Sequence, residues 1–233
     1  MKCLAISVSV VGATAASTGC SNDNGVFRAD QLLPSFSAQV VDGMLMVGAT
    51  FMDENGFGYR LRDVETLTAT VGDRTIVMGD STPDFYPNYA ISFDEVTSNE
   101  LAITLERPGE TLESTAQLPT PLTITSVPAV SPRAMDLTID YAAPGITGEA
   151  TRADITADCL TELDLAVDPD TGVIVVPAGT LEAPGALQTC KATLVMTRLP
   201  PAGTAHADPA FDASSPGWTS VAEQATAMFK TQP

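Results

Sequence analysis

Few residues of this chain are equipped for catalysis, and they do not fall into catalytic patterns. A single histidine, His206, lies in a stretch rich in Gly, Pro and Ala. Any Ser-His-Asp arrangement would have to use it, and there is no Gly-x-Ser-x-Gly elbow to present a serine. One histidine also excludes a His-rich metal centre, and no Cys-x-x-Cys pair exists for a zinc ribbon or thiol exchange. No glycine-rich phosphate loop or dinucleotide motif occurs. Carboxylates are abundant, with 29 Asp and Glu, so a glycosidase-type acid pair is the one catalytic arrangement the composition leaves open. The expectation is no enzyme, no cofactor and no metal.

Two loops carry residue types suited to binding. Phe85-Tyr86-Pro87-Asn88-Tyr89 gathers aromatics in a turn-rich stretch. Exposed, Phe85, Tyr86 and Tyr89 could stack on sugar rings or anchor a protein partner. Turned inward, they would plug one end of a sandwich, as a tyrosine corner does. Asp168-Pro169-Asp170-Thr171-Gly172 has oxygen ligands of the kind hard cations take. It lacks the distal Glu of an EF-hand loop, and Asp, Pro and Gly at these positions already make a β-turn. Whether Asp168 and Asp170 bind calcium is left open at this point.

The amino-terminal residues address a location. Lys2 precedes an apolar run from Leu4 to Val11, and small residues lead from Ala13 to Gly19. A basic start, an apolar core and a small-residue exit describe a secretory signal peptide over 1–19. The run is too short to span a bilayer. Ser17-Thr18-Gly19-Cys20 resembles the bacterial lipobox, with Ser17 where that motif usually has Leu. The resemblance implies a diacylglycerol on Cys20 and a membrane held through that anchor. The alternative is an ordinary cut near Ala16 or Gly19 that leaves Cys20 a free thiol. Residues 20–32 then read as lipidated cysteine and flexible tether, since Ser21-Asn22-Asp23-Asn24-Gly25 buries nothing. Ser21 after the cysteine resembles the outer-membrane class of lipoproteins.

Export also decides the cysteines. Cys3 leaves with the signal and Cys20 takes the lipid. Cys159 and Cys190 remain as a pair in an oxidising compartment, where a disulfide persists.

The chain of 233 residues has 11 basic and 29 acidic side chains, a formal net charge of −18, and loss of Lys2 makes it one unit more negative. Such a balance excludes nucleic acid as a partner, because phosphate binding depends on Lys and Arg. It also disfavours electrostatic docking on anionic lipid.

The body reads as strands. Phe36, Ala38 and Val40 alternate with Ser37 and Gln39, and Asp42-Gly43 turns the chain into Met44 to Met52. Leu67, Ala69 and Val71 alternate with Thr66, Thr68 and Thr70. Leu101, Ile103 and Leu105 lead through Pro108-Gly109 to Thr111–Leu118. Prolines at 119, 121, 128 and 132 mark a boundary. Beyond it, Leu137, Ile139 and Tyr141 alternate, as do Leu163, Leu165 and Val167. Ile155, Ala157 and Cys159 share one strand face, and Cys190, Ala192, Leu194 and Met196 share another. The last segment, Val221 to Lys230, has helix-forming Ala, Glu and Gln, yet its apolar residues also fit a two-residue period. It is assigned as a strand, with Trp218 packing where the strand enters its sheet. The expected fold is all-β: a first β-sandwich over 33–126 and a second, with the disulfide, over 127–233.

Asp136-Leu137-Thr138-Ile139-Asp140-Tyr141, the two cysteine strands, Val175-Val176-Pro177-Ala178-Gly179-Thr180-Leu181, Thr197-Arg198 and Asp208-Pro209-Ala210-Phe211 together resemble two-domain bacterial lipoproteins with immunoglobulin-like folds. The resemblance covers mainly 130–233. It implies an immunoglobulin-like β-sandwich in each half and a cell-envelope location, and it brings no catalytic residues. The expectation is a non-enzymatic, envelope-anchored lipoprotein with a binding or structural role and an unidentified protein or glycan partner. The alternative is a secreted envelope hydrolase using a carboxylate pair.

Overall fold

The computed structural model describes residues 27–81, 87–142, 145–183 and 189–233. The alternating segments are strands. β1 (Leu32–Val41) buries every second residue and turns through Asp42 (φ 50) and Gly43 (φ 80) into β2 (Met44–Asp53). Two successive positive φ angles make the type I′ turn whose twist matches paired strands. β3 (Thr66–Val71), β4 (Arg74–Val77), β5 (Gly79–Asp80) and β6 (Asn88–Phe93) follow. β7 (Glu100–Arg107) and β8 (Glu110–Gln117) are joined by Pro108-Gly109, with Gly109 at φ 78. Then come β9 (Ile124–Ser126), β10 (Val130–Pro132), β11 (Leu137–Tyr141), β12 (Ala150–Ala157), β13 (Leu163–Val167) and β14 (Val173–Val176). β15 (Cys190–Leu199), β16 (Ala205–His206) and β17 (Gly217–Gln232) complete the set.

These strands form three sheets. A nine-stranded sheet runs β13-β12-β15-β17-β1-β2-β6-β5, with β10 also paired to β17. A five-stranded sheet runs β16-β8-β7-β3-β4, and a three-stranded sheet runs β14-β11-β9. Two separate apolar cores result. The first includes Phe36, Phe51, Leu67, Phe93, Ile103 and Leu105. The second includes Leu137, Ile139, Ile155, Leu194, Met196 and Phe229.

β17 joins them. Its residues 220–224 pair in parallel with β1, and 223–231 pair antiparallel with β15. At alternate positions, Val221 enters the first core, while Ala225 and Phe229 enter the second. A two-residue period keeps these side chains on one face, so both smaller sheets stack against the same face of the large one. The strand forms despite its helical propensity because ladders on both sides supply the hydrogen bonds and the alternating apolar residues supply the burial.

Two expectations about boundaries change. Residues 127–233 do not make the second sandwich alone: Phe211, Val221 and the partly buried Trp218 belong to the first core, and Leu122 belongs to the second. Alternation reveals which face of a strand is buried, not which neighbours flank it, so the sharing of β17 leaves no mark in its pattern. The tether also ends earlier than residue 32. Phe27 packs edge-on against Tyr59 at 5.4 Å, Arg107 Nη2 donates to the Phe27 carbonyl, and Ala29–Gln31 form one 3-10 turn with Ala29 buried.

Candidate functional site

Cys20, Phe85 and Tyr86 lie outside the described residues. Tyr89 lies within them and faces inward from β6. Its ring packs against Phe51 at 6.2 Å, and its hydroxyl accepts the Leu61 N–H at 2.7 Å. Burial raises its pKa. Tyr89 is therefore a core residue and not a surface contact, because it occupies a buried parity position of an alternating strand. Trp218 packs against Phe36 at 5.4 Å and donates its indole N–H to the His206 carbonyl at 3.2 Å. The His206 side chain is exposed.

Cys159 and Cys190 form a disulfide, with Cα atoms 5.7 Å apart. Cys190 opens β15 and is fully buried. Cys159 is not on a strand face as expected. β12 ends at Ala157, and Cys159 sits in the turn beyond, half-buried, where it reaches across to β15.

Asp170 is the centre of a polar network that joins the loops at one end of the second sandwich. Its carboxylate accepts from the Tyr141 hydroxyl at 2.5 Å, the Thr151 hydroxyl at 2.8 Å and the Gly145 N–H at 3.2 Å. Arg198 Nη2 stands 3.1 Å away as its counter-charge, with the Arg198 side chain fully buried. The rest of the guanidinium is held equally closely. Nε donates to Thr151 Oγ1 at 3.1 Å, and Nη1 donates to Thr120 Oγ1 and the Pro121 carbonyl, both at 3.1 Å. Glu149 accepts the Thr120 N–H and hydroxyl, both at 2.7 Å, and its Oε2 lies 3.9 Å from Arg198 Nε. Burial would raise the Asp170 pKa, but the hydrogen bonds and Arg198 outweigh it and the net shift is downward. Burial and the bond to Asp170 push Tyr141 up to about 12. The carboxylate that suggested calcium is thus engaged by an internal cation. Among the described residues no group of three or more His, Cys, Asp or Glu is placed to hold a metal.

Glu223 borders this network from β17. It is 5% exposed, and its Oε1 accepts the Leu122 N–H at 3.3 Å. Burial pushes its pKa up to about 7, against the opposing pull of that hydrogen bond and of Arg198.

The first sandwich has a counterpart. Arg107 Nη2 lies 3.0 Å from Glu65 Oε1, with both side chains buried. Tyr59 donates its hydroxyl to Glu65 at 2.6 Å, and the Arg62 N–H donates at 2.9 Å. Each sandwich therefore sets an arginine beside a carboxylate that also accepts from a tyrosine hydroxyl. Charges removed from water persist when paired and hydrogen-bonded; the second cluster provides both, while the first pairs its charges but leaves Glu65 Oε1 and Arg107 Nη1 without a hydrogen bond.

A surface groove of about 570 Å³ lies on the outer side of the five-stranded sheet, lined in part by Thr70, Asn99, Glu100, Glu113, Thr115 and Gln117. Two carboxylates, Glu100 and Glu113, line it. Glu100 is opposite Gln117 and Glu113 is opposite Thr104, which separates their backbones by about 14 Å at sheet spacings.

No family model matches the chain, and no curated protein matches it. Among solved structures, the chain is similar to the FN1-FN3 domains of chicken CNTN1, at 10% identity over 85% of this chain and 67% of that one, with a TM-score of 0.26.

The buried clusters had a signal in the sequence that strand reading passes over. Arg107 stands at the same parity as Leu101, Ile103 and Leu105, and Arg198 at the same parity as Ala192, Leu194 and Met196. A charge on the apolar face of an alternating strand demands a buried partner. The identity of that partner is not readable, because Glu65 and Asp170 come from loops.

Proposed function

We propose that the chain is an exported, lipid-anchored module of the bacterial cell envelope, of the outer-membrane class by Ser21, with a binding or structural role and no catalysis of its own. The signal-like residues 1–19 and the lipobox-like Ser17-Thr18-Gly19-Cys20 support the location. The observation that carries the role is β17. One strand hydrogen-bonded into both sandwiches makes a continuous scaffold that begins at Phe27, with only residues 21–26 between it and Cys20. The buried arginines support the same reading, since Arg107 and Arg198 are engaged with Glu65 and Asp170 as structural pairs. The polar groove over the five-stranded sheet is the surface offered to a protein or glycan partner. The immunoglobulin-like resemblance of the second half fits a module of this kind.

Detergent phase partition tests the anchor. The wild-type protein should enter the detergent phase, and Cys20→Ser should move it to the aqueous phase. A wild-type protein that stays aqueous and carries no acyl chain by mass spectrometry defeats the lipoprotein reading. Material co-purified with the native protein, compared with a Thr115→Lys variant in the groove, tests the binding role.

A further inference from the structure

The nine-stranded sheet has one face covered by the two smaller sheets and one face turned outward. Over four adjacent strands, bounded on the β15 side by the register partners Lys191 and Lys230, the outward positions are the alternate residues from 33 to 41 in β1, from 44 to 52 in β2, 88 to 92 in β6 and 220 to 228 in β17. None of them is ionisable, in a chain where 17% of residues are charged and the net charge is −18. Three methionines stand on β2 within this area, Met44 at 46%, Met46 at 44% and Met52 at 36% exposure. The residues between them are small, and a Cβ at Gly48 would stand 2.8 Å from Ser37 Oγ. Acidic side chains appear at the margins, Asp42 at the β1–β2 turn, Asp53 at the end of β2 and Asp94 just past β6.

We infer that this face is a self-association surface, on which a second copy of the chain packs sheet against sheet. Charge selects the occupant. Two copies of so acidic a protein repel one another over most approaches, and this face lets them meet without bringing carboxylates together. An uncharged centre within a charged margin is also the anatomy of a protein interface. The size is sufficient. Two ten-residue strands, the six residues of β6 and residues 220–228 of β17 cover about 550 Å² at sheet spacings, so two copies would bury about 1,100 Å², above the about 1,000 Å² that a biological interface should clear and in the range of weak association. Methionine side chains adapt to an opposing surface without a preformed pocket.

Sedimentation equilibrium of the full-length protein in density-matched detergent tests this independently of lipidation at Cys20. The wild type should be a dimer at concentrations of about 50 μM, with a micromolar dissociation constant. Met46→Glu and Thr50→Glu add exposed carboxylates to the face and should each weaken the dimer by at least about tenfold, since like charges are then forced together. Glu113→Gln, on the outer side of the five-stranded sheet, should leave it unchanged. Circular dichroism melts of the dilute variants separate loss of association from loss of fold. A wild type that remains monomeric, or folded face variants that dimerise as the wild type does, overturns the inference.

Discussion

Arg198 and Glu223 are direct partners across the β15–β17 ladder, and both are buried where the two cores meet. Glu223 is also opposite Val40 of β1. One carboxyl thus marks the point where β17 passes from the first sandwich to the second.

That position makes stability sensitive to pH. The folded state holds the Glu223 proton up to about pH 7, against an ordinary value of 4.5. The raised pKa means that the folded state binds the proton more tightly than the unfolded chain does. The contribution of Glu223 to stability is therefore greatest below about 4.5, falls as pH rises towards 7 and levels off above it, by on the order of 3 kcal/mol in all. Glu223→Gln should remove this slope. It should raise the melting temperature at pH 8 by several degrees and leave it nearly unchanged at pH 4.5.

Arg198→Ala should be among the most damaging single changes in the second sandwich. It leaves Asp170, Glu149 and Glu223 without their shared cation, at a cost of about 3–5 kcal/mol. Asp170→Asn keeps the side-chain volume and should cost less. The Asp170 pKa is lowered by folding, so its contribution is present above the ordinary carboxylate value and is lost as pH falls through the folded one. Urea titrations at pH 7 and pH 3 should show the wild type and Asp170→Asn converging in acid.

The disulfide closes a loop with a sequence separation of 31, for which chain entropy predicts about 3–4 kcal/mol. Cys159→Ala should lose that amount. Because β17 is common to both sandwiches, calorimetry should record one transition displaced to lower temperature, where independent sandwiches would give an early second-domain transition and an unmoved first.

Tyr89→Phe tests its assignment to the core. The substitution leaves the Leu61 N–H without its acceptor and should cost about 1–3 kcal/mol in a denaturant melt, with partner capture unaffected. Lost capture at unchanged stability would return Tyr89 to the binding surface.

The strands were legible because alternation, Asp42-Gly43 and Pro108-Gly109 are local signals, and the structure follows them closely. Even Val221 to Lys230, where composition favours a helix, follows its two-residue period. What escaped reading is non-local. Phe27 looked like tether because its partners, Tyr59 and Arg107, are distant in sequence. The parity of Cys159 with Ile155 and Ala157 points to a strand face, but β12 stops two residues before it, and the turn still brings it to Cys190. The buried clusters required knowing which loop acid meets which strand arginine, and that follows from topology alone.

β17 comes after every other strand in the chain, and this fixes an order of events during biosynthesis. Until it arrives, β1 and β15 each present an unpaired edge, and neither core is sealed. On the export route proposed above, delivery of the polypeptide amino-terminus first would hold the earlier segments outside the cytoplasm, incomplete, until residues 217–232 follow. Exposed edges of this kind recruit other chains. A chain stopped at residue 216 should accordingly yield aggregate or degraded fragments, and not one finished sandwich beside an unfinished one.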